Sequence, residues 1–305
     1  MPVTIDDIRA AAEALAGKVS RTPGLRSQVL SELTGADIHL KLENLQVTGS
    51  FKPRGAYIKL SGLSEKEKKS GVVAASAGNH AQGVAYHARQ LGVPATIYMP
   101  ESTPFTKVGR TEALGAKVVL SGEGLAEARD AALEHADRQG QSFIHPYDDE
   151  KIISGQGTVG LEFLDDFPDL EVLVVPIGGG GLISGVATAI KALRPAARVI
   201  GVEPEGAATM FNAWHKQDAS ASLDSVDTWA ASLAPAVVGN CTYAASRQVV
   251  DQIVTVTESA IREATRRLLT EARLYVEPGA SVGLAALLEN QVAPDPDRAT
   301  VLIIT

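Results

Sequence analysis

Residues 172–193 run Val-Leu-Val-Val-Pro-Ile, four consecutive glycines, then Leu-Ile-Ser-Gly-Val-Ala-Thr-Ala-Ile-Lys-Ala-Leu. The opening six residues carry no polar alternation, so both faces of this strand are buried, as in a parallel sheet covered by helices. Leu182–Leu193 follows helical spacing. Four glycines at the junction let the backbone approach a ligand closely and turn several N–H groups inward. A strand buried on both faces that passes over glycines into a helix constrains the chain to an α/β layer architecture. The uncharged stretch Val172–Ile190 has the length of a membrane span. Pro176 and five glycines inside it favour strand, loop and helix instead.

The same alternation recurs upstream. Val72–Ala75, Ala95–Met99, Val118–Leu120 and Ser142–Ile144 read as strands, and Ala81–Leu91, Phe105–Leu114 and Leu125–Arg138 as helices. That is a compact α/β unit with a parallel sheet. A second unit begins near Gly155–Leu164, continues through the glycine junction and strand Arg198–Glu203, and closes with strand Thr300–Thr305. The crossing between units is expected at His145-Pro146-Tyr147, where a proline interrupts and three acids follow. A chain of 305 residues is long enough for two domains.

Composition excludes several functions. The net charge of −8 argues against a nucleic-acid surface, and Lys66–Lys69 reads as a solvated helix end. A single cysteine, Cys241, permits no internal disulfide and fits a reducing cytoplasm. Met1–Asp7 lacks the basic and apolar regions of a signal peptide. Thr4–Asp7 reads as a helix cap with early acids.

Three loops carry the chemistry. Lys52 stands in Gly49-Ser50-Phe51-Lys52-Pro53-Arg54-Gly55, after the strand-like Ile38–Asn44 and before a helical pattern from Ala56. Proline is welcome in a first helical turn, and a helix N-terminus disfavours positive charge. That setting favours a neutral amine, which can form a Schiff base with a carbonyl cofactor. Ser76-Ala77-Gly78-Asn79-His80-Ala81-Gln82-Gly83 joins strand 72–75 to a helix and can offer N–H groups to a carboxylate. A phosphate is the natural occupant of the third loop, Gly178–Gly181, at a helix N-terminus. Its spacing matches neither the dinucleotide fingerprint nor the nucleoside-triphosphate loop. Open parallel sheets bind ligands beyond the carboxyl ends of their strands, so a cleft between the two units is the expected site.

The combination Ser50-Phe51-Lys52-Pro53-Arg54-Gly55, Ser76-Ala77-Gly78-Asn79-His80, Gly178–Gly181 and Val276-Glu277-Pro278-Gly279-Ala280 resembles the serine/threonine dehydratases. These are fold-type-II pyridoxal-phosphate enzymes of the tryptophan-synthase-β group, and the resemblance spans nearly the whole chain. Pro146-Tyr147-Asp148-Asp149 and Ile153–Thr158 are similar to family segments as well. The resemblance implies a large, discontinuous cofactor domain of residues 1–65 plus 147–305 and a small substrate-loop domain of residues 66–146. It implies that Lys52 binds pyridoxal 5'-phosphate covalently and acts as general base, while Gly178, Gly179, Gly180 and Gly181 hold the phosphate. Asn79 meets the ring hydroxyl oxygen, Phe51 packs on the ring, and Ser76, Ala77, Gly78, Asn79 and His80 take the substrate carboxylate.

The activity so implied is β-elimination of water from L-threonine or L-serine, giving a 2-oxo acid and ammonia. The alternatives are a dehydratase for 3-hydroxyaspartate or a phenylserine, a serine racemase, and a binding scaffold of the same fold. The mammalian serine racemases carry a serine where Ala77 stands, and alanine has no proton to deliver to the second face of Cα. A homodimer or homotetramer acting on a small amino acid is expected, with no membrane or nucleic-acid partner.

Departures from the family pattern set further expectations. Trp229-Ala230-Ala231-Ser232-Leu233 replaces the usual Ala-Asp-Gly stretch. In the metal-binding segment of the racemase-like members, Glu203 and Ala207 match but Thr209 replaces an aspartate. Loss of charge weakens a Mg²⁺ or Ca²⁺ site. The family follows its last strand with Ser-Gly-Gly-Asn, whose serine meets the pyridine nitrogen. A continuation past Thr305 with such a serine is expected, with Ser281 the substitute if there is none. No regulatory domain follows, so biosynthetic-type feedback control is not expected.

Overall fold

The computed structural model describes residues 2–294 and 298–305. In chain order the first elements are α1 (Ile5–Leu15), β1 (Gly24–Arg26), α2 (Gln28–Thr34), β2 (Asp37–Leu42), α3 (Lys52–Ser61) and α4 (Glu65–Ser70). Next come β3 (Val72–Ala75), α5 (Asn79–Gln90), β4 (Ala95–Met99), α6 (Phe105–Ala113), β5 (Lys117–Leu120), α7 (Leu125–Gln139) and β6 (Ser142–Phe143). The remainder is α8 (Glu150–Asp166), β7 (Leu170–Pro176), α9 (Gly181–Leu193), β8 (Arg198–Pro204), α10 (Thr209–Lys216), α11 (Asn240–Val249), β9 (Gln252–Val256), α12 (Glu258–Thr270), α13 (Val282–Leu288) and β10 (Ala299–Ile304).

Two sheets result. Four strands in the order β5-β4-β3-β6 pair in parallel throughout. Six strands in the order β1-β2-β10-β7-β8-β9 form the larger sheet, parallel except for the β1–β2 pair. β10 lies between β2 and β7, with Val301 opposite both His39 and Leu173. Every residue of β10 is buried, and the apolar side chains of β7 point alternately into two cores, one on each face. Burial on both faces explains the absence of polar alternation in these strands. No helix among the described residues is long and apolar enough to cross a membrane.

Several local readings gain a physical basis. Thr4 and Asp7 form a reciprocal capping box at the start of α1. Ser64 and Glu67 do the same for α4, whose lysines are solvated as expected. Two helices begin earlier than their apolar spacing suggests: α3 starts at Lys52 and α5 at Asn79. Pro53, the second residue of α3, needs no N–H partner there, so it continues the turn. Strand β2 ends earlier than its sequence pattern, Ile38–Asn44, suggests. It stops at Leu42, and a 3₁₀ turn over Glu43–Leu45 carries the Glu43 carboxylate inward to Arg54.

α8 knits the two halves. Its glycines admit close helix contacts: a Cβ at Gly155 would strike the Gly55 backbone of α3, and one at Gly157 or Gly160 would strike α1 or α9. Ala56, Leu60 and Leu63 of the α3 region pack with Val72, Ala74 and Ile97 in the core of the small sheet.

Candidate active site

Lys52 opens α3 with its amine in the interior. Nζ donates to the carbonyl oxygen of Pro146 at 2.6 Å and lies 5.2 Å from the Phe51 ring centroid. Burial lowers its pKa to about 8. The helix N-terminus was the cause expected from sequence, whereas removal of the ammonium from water is the cause the structure supplies. Among the described residues no carboxylate hydrogen-bonds the amine to restore the charge that burial disfavours. Phe51 is half-buried against the core beneath β10, and its N–H donates to Thr305 Oγ1 at 3.0 Å.

The substrate-loop residues divide between two settings. Ser76 Oγ accepts from the Gly78 N–H at 3.2 Å, which shapes the turn before α5. Ala77 packs at the edge of the small core. Asn79 reaches across the cleft, where its amide donates to Glu277 Oε1 at 2.9 Å. His80 turns away from the loop's open side and is buried, with Nε2 donating to the Ile144 carbonyl at 2.9 Å. Burial drops its pKa to about 3, with Lys52 adding to the effect, so the ring is neutral and serves the frame of the small sheet.

The glycine loop stands directly after β7. Gly180 has φ +89°, a conformation that favours glycine, and a Cβ there would collide with Met210. A Cβ on Gly179 would overlap the Tyr147 ring. Helix α9 has no side-chain cap, and among the described residues no hydrogen bond engages the N–H groups of Gly178, Gly179 or Gly180. Unpaired N–H groups at an uncapped helix N-terminus, in a loop that excludes side chains, fit a phosphate dianion. With the Lys52 amine, whose proton burial makes easier to lose, they match the two ends of pyridoxal phosphate, one anionic and one carbonyl.

Other sequence candidates lie elsewhere. Glu203 is fully buried, and its two oxygens accept from the backbone N–H groups of Met210 and Phe211, each at 2.8 Å. Its carboxylate therefore caps α10, and burial pushes its pKa up to about 8. Ala207 is buried nearby, and among the described residues no group of three His, Cys, Asp or Glu side chains converges as a metal site would need. The buried hydroxyl of Ser281 is engaged within the protein, held among Thr265, the Pro278 carbonyl and the Ile261 carbonyl. Trp229 is half-exposed on the surface, with the Arg262 guanidinium over its ring.

Sequence reasoning gave no role to Tyr147, Asp148 or Glu277, although all three lie in quoted segments. Tyr147 covers Gly179 and Gly181, and its hydroxyl donates to the Val237 carbonyl at 2.9 Å. The signal available was Tyr147-Asp148-Asp149 directly after the proline at the crossing.

A family model described as pyridoxal-phosphate dependent enzyme matches residues 15–305. The L-threonine ammonia-lyase of Thermotoga maritima is 48% identical over 288 residues, covering 94% of this chain and 72% of the relative. The L-threonine dehydratase catabolic TdcB of Escherichia coli strain K12 is 42% identical, covering 100% of this chain and 93% of the relative. The solved structure of maize serine racemase has a TM-score of 0.94 at 34% identity, covering 99% of this chain and 92% of that one. Two parallel-rich sheets, a half-buried lysine at a helix start and an uncapped glycine loop reached from it through Pro146 and Tyr147 agree with these matches, which show that the chain belongs to the pyridoxal-phosphate dependent enzymes of fold type II.

Proposed function

We propose that the chain removes water from L-threonine or L-serine and releases a 2-oxo acid and ammonia. The observation that carries this is the Lys52 amine, buried and held at 2.6 Å from a neutral carbonyl, beside an anion-binding glycine loop. Relatives named L-threonine ammonia-lyase and L-threonine dehydratase support the substrate class. Pyridoxal phosphate, when bound, supplies a sink for the electron pair left at the substrate Cα. Lys52 Nζ takes the Cα proton: at a pKa of about 8, roughly a tenth of it is free amine at pH 7, roughly 300-fold more than at the ordinary value of 10.5. The Ser76–His80 loop takes the substrate carboxylate through its backbone, although the Ser76 and Gly78 N–H groups are already given to the Tyr98 carbonyl and Ser76 Oγ, and Asn79 and Phe51 flank the cofactor ring. The grouping of residues 66–146 as a substrate-loop domain is part of this reading, supported by a sheet whose strands all come from residues 72–143.

Serine racemisation is the second reading, favoured by the likeness to maize serine racemase. Ala77 argues against it, because a methyl group delivers no proton to the other face of Cα. A cytoplasmic homodimer or homotetramer completes the proposal, the lone Cys241 being consistent with a reducing compartment.

The test is a 2-oxo-acid assay across threonine, serine, 3-hydroxyaspartate and phenylserine, with Lys52→Ala alongside. The expected result is a visible absorbance band of lysine-bound cofactor in the unmodified protein, turnover of threonine or serine, and loss of both in Lys52→Ala. Turnover by Lys52→Ala at the unmodified rate would refute the assignment, and a missing band in the unmodified protein would favour a scaffold. Ala77→Ser should raise racemisation relative to elimination, read by chiral analysis of residual serine. Rapid D-serine formation by the unmodified protein would overturn the argument from Ala77.

A further inference from the structure

We propose that residues 144–149 form a strap that holds the free amine of Lys52, with the Pro146 carbonyl as its acceptor and Asp148 as the positioning residue that fixes that carbonyl. The proposal rests on Lys52 being the cofactor-bearing lysine. Each strap residue has its own anchor. The Ile144 N–H donates to Val73 of β3 at 2.8 Å, and its carbonyl accepts from His80. His145 Nδ1 accepts the Asp148 N–H at 2.8 Å and the Tyr147 N–H at 3.3 Å, which folds the strap into a tight turn around Pro146. Tyr147 lies on the glycine loop. Asp149 caps α8 through the Lys151 and Ile152 N–H groups and pairs with Lys59 of α3 at 2.5 Å.

Asp148 is the anchor that ties the turn to the large sheet's side. Its Oδ1 accepts from the Cys241 N–H at 2.8 Å and the Thr242 N–H at 3.3 Å, and its Oδ2 from the Asn240 N–H at 3.1 Å. Three charge-assisted bonds at the start of α11 hold one carboxylate. Gly239 makes the approach feasible, because a Cβ there would overlap the carboxylate itself. The Pro146 carbonyl, two residues before Asp148, is thereby fixed from both sides.

The choice of a carbonyl matters chemically. A free lysine amine arises whenever a substrate amine takes its place on the cofactor. With pyridoxal phosphate bound, that exchange would break one carbon–nitrogen bond, to Lys52, as another formed to the substrate nitrogen; an incoming neutral amine would pass one hydrogen to Lys52, so nothing would be oxidised or reduced. A carbonyl oxygen accepts an N–H from lysine whether it is amine or ammonium. It therefore holds the nitrogen in place while its proton comes and goes, without the negative charge that would keep it an ammonium. His80 and His145 beside it are both held below the ordinary imidazole range by burial, so they add no competing charge at neutral pH.

The experiment uses loaded enzyme mixed with less than one equivalent of threonine, following return of the lysine-bound absorbance band after the substrate is consumed. Asp148→Ala and, independently, Gly239→Ala should each slow that return by between about tenfold and about a hundredfold, since a reacting group misplaced by an ångström loses rate on that scale. The fall should appear in kcat with KM little changed, and Asp148→Asn, which keeps one accepting oxygen, should recover part of the rate. Band return at the unmodified rate in loaded Asp148→Ala and Gly239→Ala overturns the proposal, even if both variants unfold at lower temperature. Should one variant fail to fold, the other decides. A Lys52→Ala protein that still forms the band would instead sink the assignment of Lys52 and leave the strap without an object, so the two failures are distinguishable.

Discussion

Replacing Glu43 should destabilise the protein more than replacing Glu43 and Arg54 together. The Arg54 side chain is 1% exposed and that of Glu43 0%. Glu43 accepts Arg54 Nη2 at 2.7 Å, Arg54 Nε at 2.9 Å and the Thr22 hydroxyl at 2.5 Å. Arg54 also donates to Glu162 at 2.7 Å and Thr158 at 3.2 Å, and Glu162 pairs in turn with the buried Lys41 at 2.7 Å. Glu43→Ala leaves two guanidinium nitrogens without their carboxylate and opens a void where no water reaches. Breaking a buried pair this way costs about 3–5 kcal/mol. Glu43→Leu with Arg54→Met removes both charges and keeps the volume filled. It should cost less than Glu43→Ala, although Glu162 then retains only Lys41. Urea unfolding followed by circular dichroism, read as midpoint and slope, gives the free energies for a double-mutant cycle. A Glu43→Ala cost below about 1 kcal/mol would show that the network contributes little, and a double variant worse than either single one would refute the pairing argument.

Other outcomes follow from the same contacts. Gly179→Ala should displace the Tyr147 ring and release cofactor, with retention after gel filtration as the measurement; unchanged occupancy would show that the ring has room to move. His87 is fully buried, neither ring nitrogen has a hydrogen-bond partner among the described residues, and burial lowers its pKa from 6.5 to about 4. The unfolded chain therefore binds a proton that the folded chain refuses between those values. Stability from this residue is complete above pH 6.5 and falls by roughly 3 kcal/mol as pH drops towards 4. His87→Phe, set among the rings of Tyr57 and Tyr86, should flatten the pH dependence of urea midpoints in that window; an unchanged slope would assign acid sensitivity elsewhere.

Much of the site was legible because its signals are local. β7, the four glycines and α9 are consecutive, so two periodicities and their junction can be read in one window. Lys52 was legible for the same reason, as were β3 and β4, which match their sequence readings residue for residue. The start of α3 was not, because its first turn is polar and proline-containing and gives no apolar period. His80 looked like a loop residue until the register of α5 turned it towards Ile144. Glu203 kept its place in sequence but not its expected role, because the α10 N-terminus is the partner of its carboxylate. Tyr147 and Asp148 act on residues far along the chain, and only the tertiary fold brings Gly239–Thr242 to them. Asn79 and Glu277 are a similar case, 198 residues apart and bonded across the cleft.

The position of β10 has a consequence for the order in which the molecule assembles. The small sheet draws its strands from residues 72–143 and can pair them as they emerge from the ribosome. The large sheet cannot, because β2 and β7 are joined only through β10, more than 250 residues after β2 in the chain. Contacts of such separation are slow to form, since loop closure precedes any gain from pairing. Until β10 inserts, β2 and β7 present apolar edges that invite pairing with other chains. Lys52 follows β2 and the glycine loop follows β7, so on the proposed assignment a cofactor would not bridge them before β10 is in place. Cofactor retention would then report that β10 has inserted: chains truncated before Ala299 should accumulate as cofactor-free, aggregation-prone material.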